Sequence, residues 1–409
     1  MPGNIRGRAA DADEAAGGTD TDRGHLIVTE EIDDLSKLDE LRGTWTNLLE
    51  GNPSDSLFLT WGWVRTWWRH LGQRRVLRIL AVRRGGRLIG LAPLATVTPR
   101  PQKLLPFHTD EFAGRGPIGP DYLDLIVARG EEAAAIDALA ERLAAARRVL
   151  TLSGVAAGPC PAFRLTQNLE GRGWSVASRR SGACPCIRLE GYTWESYLAS
   201  RGISHRQNVR RRLRKIHTDF AVELIEAESE AQRQEFLQEF QYLHHKRWDR
   251  KGGSDALTSP EVMHFHDEFS RLALEHGWLR LLVLRLDGRS AACIYGFFYG
   301  GVFYFYQSGF DHEFGRYSVG LVAMALSIKK AIAEGAACYD MLHGGEQYKY
   351  LWANDERELF THDCYPPSLH GAFARRVVEA RTAMKSVLRK PSAALQAVGL
   401  ADAMSVGEH

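Results

Sequence analysis

The segment YDMLHGGEQYKYLWA, residues 339–353, concentrates side chains that can move protons and hold charge. Carboxylates and imidazoles accept protons, whereas phenols and ammonium groups donate protons or stabilise developing negative charge. Two glycines follow the short apolar strand of this segment and let the backbone pass close to a ligand. Each of the polar residues alone could be a solvated loop residue, but together they predict a functional site. The candidate catalytic residues are Asp340, His343, Glu346, Tyr348 and Lys349.

A helix is predicted just before this segment, from Ser318 to Glu334. Ser318 is a favoured N-cap residue, and Gly335 is a C-terminal stop signal. An aromatic strand precedes the helix, so the free N–H groups of the helix start face the edge of a sheet. Such a helix start attracts anions such as pyrophosphate, and Arg316 lies beside it. An ordinary capped core helix is the alternative interpretation.

A third candidate feature is the basic helix SHRQNVRRRLRKIH, residues 204–217. Val209, Leu213 and Ile216 form an apolar seam at helical spacing, and the cations occupy the other faces. The functional interpretation is a phosphate-contact surface, either for a nucleotide of the donor or for RNA. A solvated basic helix is the alternative. The cations are Arg206, Arg210, Arg211, Arg214 and Lys215.

Helical and strand patterns alternate along the chain, which is typical of α/β proteins. Two strand–turn–strand segments, beginning at Leu77 and Leu279, share Leu, Arg, Leu, Arg, Gly and Arg at matching positions. We infer that one α/β lobe was duplicated, with a chance similarity of two hairpins as the alternative. The predicted fold is therefore two tandem lobes of mixed α/β (α+β) structure, each a mixed sheet flanked by helices. The predicted ranges are a disordered tail (1–24), a first lobe (25–186), a second lobe (187–368) and a helical, frayed C-terminal tail (369–409).

Four tryptophans lie in the predicted helix FLTWGWVRTWWRHLG, residues 58–72. Helical spacing places Trp61, Val64 and Trp68 on one stripe, which predicts a core-facing surface. An indole that lines a pocket is the alternative use for one of these rings.

The composition excludes several classes of protein. A formal charge of +2 over 409 residues argues against a general polyanion binder, so any basic surface must be local. Six cysteines are too few for a disulfide scaffold, and Cys160, Cys184 and Cys186 lack the spacing of a zinc site, so buried thiols and no metal are expected. No signal peptide or membrane span is predicted, and we expect a cytoplasmic protein.

These segments together resemble the GCN5-related N-acetyltransferase (GNAT) superfamily. The resemblance is to its tandem-lobe branch, which includes CelD-like proteins and the Fem-type peptidoglycan aminoacyl transferases. It extends over roughly residues 25–367. The segments that carry it are FLTWGWVRTWW with the hairpin that follows, SHRQNVRRRLRK, FYFYQSGFD, RYSVGLVAMALSIKKAIAEG and YDMLHGGEQYKYLWA.

The resemblance implies two GNAT-like lobes, of which the second binds an acyl-CoA donor. In GNAT enzymes the pantetheine lies between two diverging parallel strands, which correspond here to residues 302–307 and 337–342. The pyrophosphate lies on the next helix start, but Val319 replaces the first glycine of the usual loop. Fem-type relatives show the same change and use aminoacyl-tRNA, so tRNA is an alternative partner. The implied donor-binding residues are Tyr306, Gln307, Arg316, Tyr317, Ser318, Val319 and Gly320.

The reaction implied by the resemblance is attack of an amine on an activated acyl carbonyl, which gives an amide. Glu346 or His343 would be the base and Asp340 would orient the amine of a small molecule or sugar. Tyr348 would protonate the leaving group, and Lys349 would hold a phosphate or the oxyanion. Three hypotheses stay open: an acyl-CoA-dependent N-acyltransferase, an aminoacyl-tRNA-dependent transferase, and a non-catalytic accessory protein that kept the fold. The sequence does not indicate an oligomeric state.

Overall fold

The computed structural model describes residues 26–73, 75–98, 107–249, 257 and 259–388. The predicted N-terminal tail and the predicted frayed end after residue 388 lie outside these residues. The predicted mixed α/β class is confirmed, with one large mixed sheet flanked by helices.

The first half of the chain supplies seven strands and five helices of the described fold. Most of its apolar residues alternate along strands or recur at helical spacing, so each element buries one face. Its elements are β1 (Ile27–Ile32), α1 (Leu35–Glu40), α2 (Arg42–Leu49), α3 (Trp61–Leu71), β2 (Arg75–Arg84), β3 (Arg87–Val97), β4 (Thr109–Phe112), β5 (Ile126–Val127), α4 (Glu132–Ala146), β6 (Val149–Ala156), α5 (Pro161–Gly171) and β7 (Ser175–Arg188).

The second half of the described chain has the same alternation and ends in a long helix. A short 3₁₀ helix, His312–Tyr317, connects a strand to the predicted anion-binding helix. The elements are α6 (Trp194–Ala199), α7 (Ile203–Asp219), β8 (Val222–Glu226), α8 (Glu230–Asp249), α9 (Pro260–Glu275), β9 (Leu279–Leu286), β10 (Arg289–Tyr299), β11 (Val302–Phe310), α10 (Val319–Ala333), β12 (Cys338–Asp340), α11 (Gln347–Trp352), β13 (Asp355–Tyr365) and α12 (Leu369–Leu388).

The two hairpins that match in sequence also match in structure. β2 pairs antiparallel with β3, and β9 pairs antiparallel with β10. Both tight turns hold two residues at positive φ: Gly85 and Gly86 in the first, Asp287 and Gly288 in the second. A turn with two positive φ angles matches the twist of the flanking strands, and glycine adopts it at little cost. An outer strand, β1 or β8, completes each hairpin on the far side. The shared geometry supports the inferred duplication.

The strands of both halves form one continuous sheet. Their order is β1-β2-β3-β4-β6-β13-β7-β12-β11-β10-β9-β8, with β5 attached to β3. The last strand, β13, lies between β6 and β7 and is antiparallel to both. β7 in turn pairs with β12, so the residue 186/187 boundary falls inside a strand that joins the two halves. Five of the six cysteines, including Cys184 and Cys186, are buried thiols, and Cys160 is partly buried.

The α3 helix packs the first half against the second. Thr60 caps it by accepting from the Trp63 amide, and Trp63 lies edge-on against Phe265 and Phe269 of α9, with ring centroids 5.0 and 4.8 Å away. Trp63 and Trp67 are fully buried.

The predicted core stripe of α3 is therefore rotated. The structure buries Trp63, Val64 and Trp67 and leaves Trp61 and Trp68 partly exposed, because α9 covers the face next to the predicted one.

The α8 helix packs closely on β11 at Gly309. A Cβ added there would lie 2.6 Å from the backbone carbonyl carbon of Leu243 in α8. We expect Gly309→Ala to lower the free energy of unfolding by about 2 kcal/mol in urea titration, because the helix must shift off the strand. Gly315→Ala, where nothing lies within 4 Å of the added atom, is the matched control. Equal stability of both variants would contradict this packing.

Candidate active site

A gap opens in the sheet between β11 and β12. The two strands are parallel partners only over Val302–Tyr304 and Cys338–Asp340. β11 then continues to Phe310, whereas β12 ends at Asp340. Beyond the last pair, one edge of β11 has no strand beside it among the described residues, and an extended chain can bind to such an edge through backbone hydrogen bonds.

After Asp340 the chain continues along β7 but no longer pairs with β11. The amides of Met341 and Gly344 donate to the carbonyls of Pro185 and Ala183 in β7, at 3.1 and 3.2 Å. Leu342 between them has a φ of 54°, which a residue with a side chain rarely adopts. The turn after β12 is therefore held by bonds to the neighbouring strand.

The α10 helix begins next to the far end of β11. Ser318 is the N-cap residue, as predicted, but its φ is 54° and its side chain makes no cap bond. The amides of Leu321 and Val322 both donate to the Ser318 carbonyl, at 2.9 and 3.1 Å. Within the described part of the chain, the amides of Val319 and Gly320 have no backbone acceptor. Val319 is buried and Gly320 is partly exposed, so the Gly320 N–H group lies nearer the surface, and N–H groups at a helix start can bind an anion.

Two of the predicted donor-binding side chains at this helix start, those of Tyr317 and Val319, are buried. Tyr317 is buried and donates to Asp219 at 3.0 Å, and Val319 is buried in the apolar core. Arg316 is exposed, with its guanidinium 4.8 Å from the centre of the Tyr317 ring. The Val319 side chain therefore offers no contact to a ligand here.

Two further predicted donor-binding residues, Tyr306 and Gln307, lie on β11 beyond the last pair with β12. Tyr306 donates its hydroxyl to the Ile118 carbonyl of the first half at 2.5 Å, and Gln307 is partly buried. The Phe310 ring lies 3.2 Å from the position that a Gly320 Cβ would occupy. The helix start therefore has an aromatic wall on its strand side.

Arg247 of α8 lies across the mouth of the gap. It donates to the carbonyl and to the hydroxyl of Ser308 on β11, at 3.1 and 2.6 Å. Arg247 also interacts with Tyr348 and Glu346 on the other side of the gap, where its charge contributes to lowering the pKa of Glu346. Arg247 thus connects β11, through Ser308, with the segment that carries Glu346 and Tyr348.

The basic helix α7 packs beside the start of α10. Arg212 donates to the Arg316 carbonyl, and its buried Nε has no hydrogen-bond partner among the described residues. Arg212 was not among the cations singled out from the sequence.

The predicted cations of α7 divide into two groups. Arg206 donates to the Ala199 carbonyl at 3.0 Å, and Lys215 pairs with Asp219 at 2.9 Å. The other three are exposed on the outer face of the helix and are Arg210, Arg211 and Arg214.

A buried polar network lies behind the gap. Asp340 is fully buried and accepts from the Tyr122 hydroxyl at 2.7 Å, from the Leu342 amide at 2.8 Å and from Arg357 at 3.3 Å. Burial raises the pKa of Asp340, and the bonds from its partners partly offset this effect. Because Asp340 has no exposed surface, it positions its neighbours and does not itself reach solvent.

Asp121 contributes a second carboxyl to this network from the first half of the chain. It accepts from the His343 amide at 2.7 Å. Burial raises the pKa of Asp121 to about 7, and the nearby charge of Asp340 adds to the increase. The first half therefore takes part in shaping the turn after β12.

Lys349 closes the turn from the other side. It is only 4% exposed, and its ammonium donates to the carbonyls of Leu342 and His343 at 3.2 and 3.0 Å. Its third contact is an ion pair with Glu346 at 3.1 Å. These contacts use all three donors of the ammonium group, so contact with a phosphate requires one of them to break.

Glu346, Tyr348 and His343 lie nearer the surface. Glu346 is half exposed. Its partial burial raises its pKa, but the charge of Lys349 and the hydrogen bonds to the carboxylate lower it by more. The pKa of Glu346 is therefore below the ordinary value. Tyr348 is partly buried, and burial raises its pKa. The His343 ring covers Gly182 of β7, where any side chain would collide with it.

The structure thus brings together the five candidate catalytic residues, at the end of β12, in the turn after it and in the following helix, but in two layers. Asp340 and Lys349 form a buried inner layer, and the other three lie outside it. The residues that sequence reasoning missed are Asp121, Tyr122, Arg212, Arg247 and Arg357. Asp121 and Tyr122 lie in the stretch GPDYLDLI, where no local pattern marks a site.

The described residues contain no group of three or more histidine, cysteine, aspartate or glutamate side chains arranged to hold a metal ion. No helix in this part of the chain is long and apolar enough to cross a bilayer.

Replacement of Asp121 by asparagine tests its buried carboxyl. Its pKa is about 7 in the fold against 3.8 for the ordinary group, so the folded state binds the proton more tightly and this group lowers stability as pH rises from about 4 to 7. Asparagine does not titrate. We expect the stability of Asp121→Asn relative to wild type to increase over that window, measured by urea unfolding at several pH values. Parallel curves for the two proteins would contradict the raised pKa.

Replacement of Lys349 by methionine tests the two hydrogen bonds that Lys349 donates to carbonyls of the turn. The variant keeps an unbranched stem but leaves two carbonyls without their donor, so we expect the free energy of unfolding to fall by about 2 to 4 kcal/mol. Lys329→Met, at an exposed position of α10, is the control and should change it by less than about 0.5 kcal/mol. Calorimetry or urea unfolding measures both, and equal effects would show that Lys349 does not hold the turn.

Comparison with known proteins agrees with this architecture. Residues 204–350 match the family model of the acetyltransferase (GNAT) domain. The crystal structure of FemX superposes with a TM-score of 0.55 at 14% sequence identity, covering 81% of this chain and 96% of FemX. No curated protein matches the sequence significantly.

A second solved structure has a similar fold. It is the C-terminal DUF2156 domain of a protein from Agrobacterium fabrum named as a lysylphosphatidylglycerol synthetase, with a TM-score of 0.51 at 11% identity. The match covers 84% of this chain and 96% of that domain. Residues 204–350 are therefore similar to the acetyltransferase (GNAT) domain, and the chain has a fold similar to that of FemX.

Proposed function

We propose that this protein is an N-acyltransferase that moves an acyl group from an activated, phosphate-bearing donor to an amine and forms an amide. The observation that carries the proposal is the gap between β11 and β12, which opens beside the free amides of α10. A gap of this kind accepts an extended arm, and the helix start accepts the phosphates attached to it.

Acyl-CoA is the donor that this geometry favours. Its pantetheine arm would pair with the free edge of β11, and its pyrophosphate would accept from the amides of Val319 and Gly320. Arg212 and Arg316 lie on the same side of the helix start and would balance the phosphate charge. The acyl carbonyl would then lie near the turn after β12.

Glu346 is the candidate general base in this arrangement. It is half exposed, and its lowered pKa keeps it ionised at neutral pH. An α-amine titrates near about 7.7 to 8.0, so only a small driving force is needed to remove its proton.

The amine nitrogen would attack the acyl carbonyl, forming the C–N bond as the C–S bond breaks, and Tyr348 would protonate the departing thiolate. Asp121 and Asp340 would hold the turn without touching substrate. The acceptor would be an amine of a small molecule or sugar.

An aminoacyl-tRNA donor is the second candidate. The exposed row of Arg210, Arg211 and Arg214 on α7, together with a fold shared with FemX, favours it. A polyanion that covered this helix would bring its acylated end to the same gap, and the ester oxygen would then be the leaving group. Binding of this kind would weaken steeply as salt increases.

Thermal unfolding with coenzyme A tests the proposed donor site. We expect an increase in melting temperature of about 2 °C or more at saturation, because ligand binding stabilises only the folded state. Ser318→Asp should abolish the increase, since its negative charge beside the helix start repels the pyrophosphate, whereas Ser318→Asn, which is isosteric with aspartate but neutral, should retain it. Both residues tolerate the left-handed backbone at this position.

The outcomes separate the hypotheses. An equal response of both Ser318 variants would place coenzyme A elsewhere and contradict the proposed site. No response to coenzyme A, together with tRNA binding that weakens with salt and is lost when the three exposed arginines become glutamine, would favour the Fem-type alternative. Absence of both would favour a non-catalytic accessory protein.

A further inference from the structure

A cavity lies at the opposite end of β11 from the α10 helix start. Its volume is about 430 Å³, within the range of small-molecule sites. We call it the interlobe cleft, since α2 and α3 of the first half and α9 and the β10–β11 turn of the second half enclose it. The residues of the cleft that carry the inference are Glu50, Asp55, Trp61, His276, Trp278 and Tyr299.

Aromatic rings in fixed orientations form much of its wall. Trp278 and Tyr299 meet edge to face, with ring centroids 4.9 Å apart and planes at 86°. The His276 ring lies 4.6 Å from that of Trp278. Trp61 is held by a 2.8 Å hydrogen bond from its indole nitrogen to the Leu38 carbonyl. Because these rings are already held in place, a ligand would not have to order them on binding.

Two carboxylates line the same cleft without a basic partner. Asp55 accepts from the Tyr299 hydroxyl at 2.7 Å, and the Glu50 charge acts on it across the cleft. Neither carboxylate forms an ion pair with a lysine or arginine among the described residues. Burial raises the pKa of Asp55, and the charge of Glu50 adds to this increase.

The arginine that lines the cleft does not neutralise these acids. Arg42 lies over the Trp61 ring, 5.1 Å from its centre, and is exposed. Trp278 and Tyr299 line the cleft together with the two carboxylates, and Tyr299 contacts Asp55 directly. Aromatic faces and carboxylates both attract organic cations, and together they favour an ammonium group on an apolar body.

We propose that the interlobe cleft binds a small organic ligand that carries an ammonium group on an aromatic or aliphatic body. The ammonium would lie between Glu50 and Asp55, and the apolar body would pack on Trp278 and Tyr299. β11 has nine residues and separates this cleft from the α10 helix start by about 25 Å. The proposal does not depend on the proposed acyl transfer.

Calorimetric titration of the full-length protein with 2-phenylethylamine and with 2-phenylethanol tests the proposal. The two probes have similar shapes, but only the amine is charged at neutral pH. We expect the amine to bind at least about tenfold more tightly than the alcohol, because the ion pair and ring contacts favour the cation. Glu50→Gln should weaken amine binding by about tenfold, and Trp278→Leu should weaken binding of both probes.

Glu141→Gln is the matched control, because Glu141 lies on α4, away from the cleft, and should leave binding unchanged. Glu50 is exposed, so its replacement by glutamine should not affect folding, and an unfolding curve for each variant verifies this. Equal affinity for amine and alcohol would overturn the proposal. So would amine binding that is unaffected by Glu50→Gln, or no binding of the amine at millimolar concentration.

Discussion

The candidate site depends on the direction that the chain takes after Asp340. β12 pairs with β7 on one side and with β11 on the other, and after Asp340 only the bonds to β7 continue, from the amides of Met341 and Gly344. Alternate amides of an inner strand point to opposite neighbours, and the Leu342 amide donates to the Asp340 carboxylate and not to β11. The free edge of β11, the mouth at Arg247 and the approach to the α10 helix start all follow from the end of this pairing.

Buried polar groups make that change of direction specific. Asp340 and Asp121 accept the amides of Leu342 and His343, and Lys349 donates to the carbonyls of the same two residues. Both peptide groups at the turn are therefore satisfied on each side, as buried backbone requires. Two raised carboxyl pKa values accompany this arrangement, and one of the carboxyls comes from the other half of the chain. Burying these polar and charged groups costs free energy, but the hydrogen bonds among them hold the backbone of the turn in one geometry.

Local patterns in the sequence predicted those features that local forces determine. The repeated hairpins could be found because glycine in a tight turn and alternating apolar residues are visible within a few residues, as at Gly86 and Gly288. The position of the α10 helix and the grouping of Asp340 to Lys349 were predictable for the same reason. Asp121 and Arg247 could not be assigned, because their contacts depend on sheet order and on helix packing between distant segments. The prediction that Trp61 and Trp68 face the core was wrong for the same reason, because the packing of α9 determines which face of α3 is buried.

The position of β13 has a consequence for how this protein is made. The strand nearest the carboxyl end fills the centre of the sheet, between two strands synthesised about two hundred residues earlier. While the chain is still emerging from the ribosome, β6 and β7 each present an unpaired edge that can join other chains. The nascent protein cannot complete its first half until nearly all of the second has been translated, so early termination or cleavage before Asp355 leaves an aggregation-prone fragment and not an independent lobe.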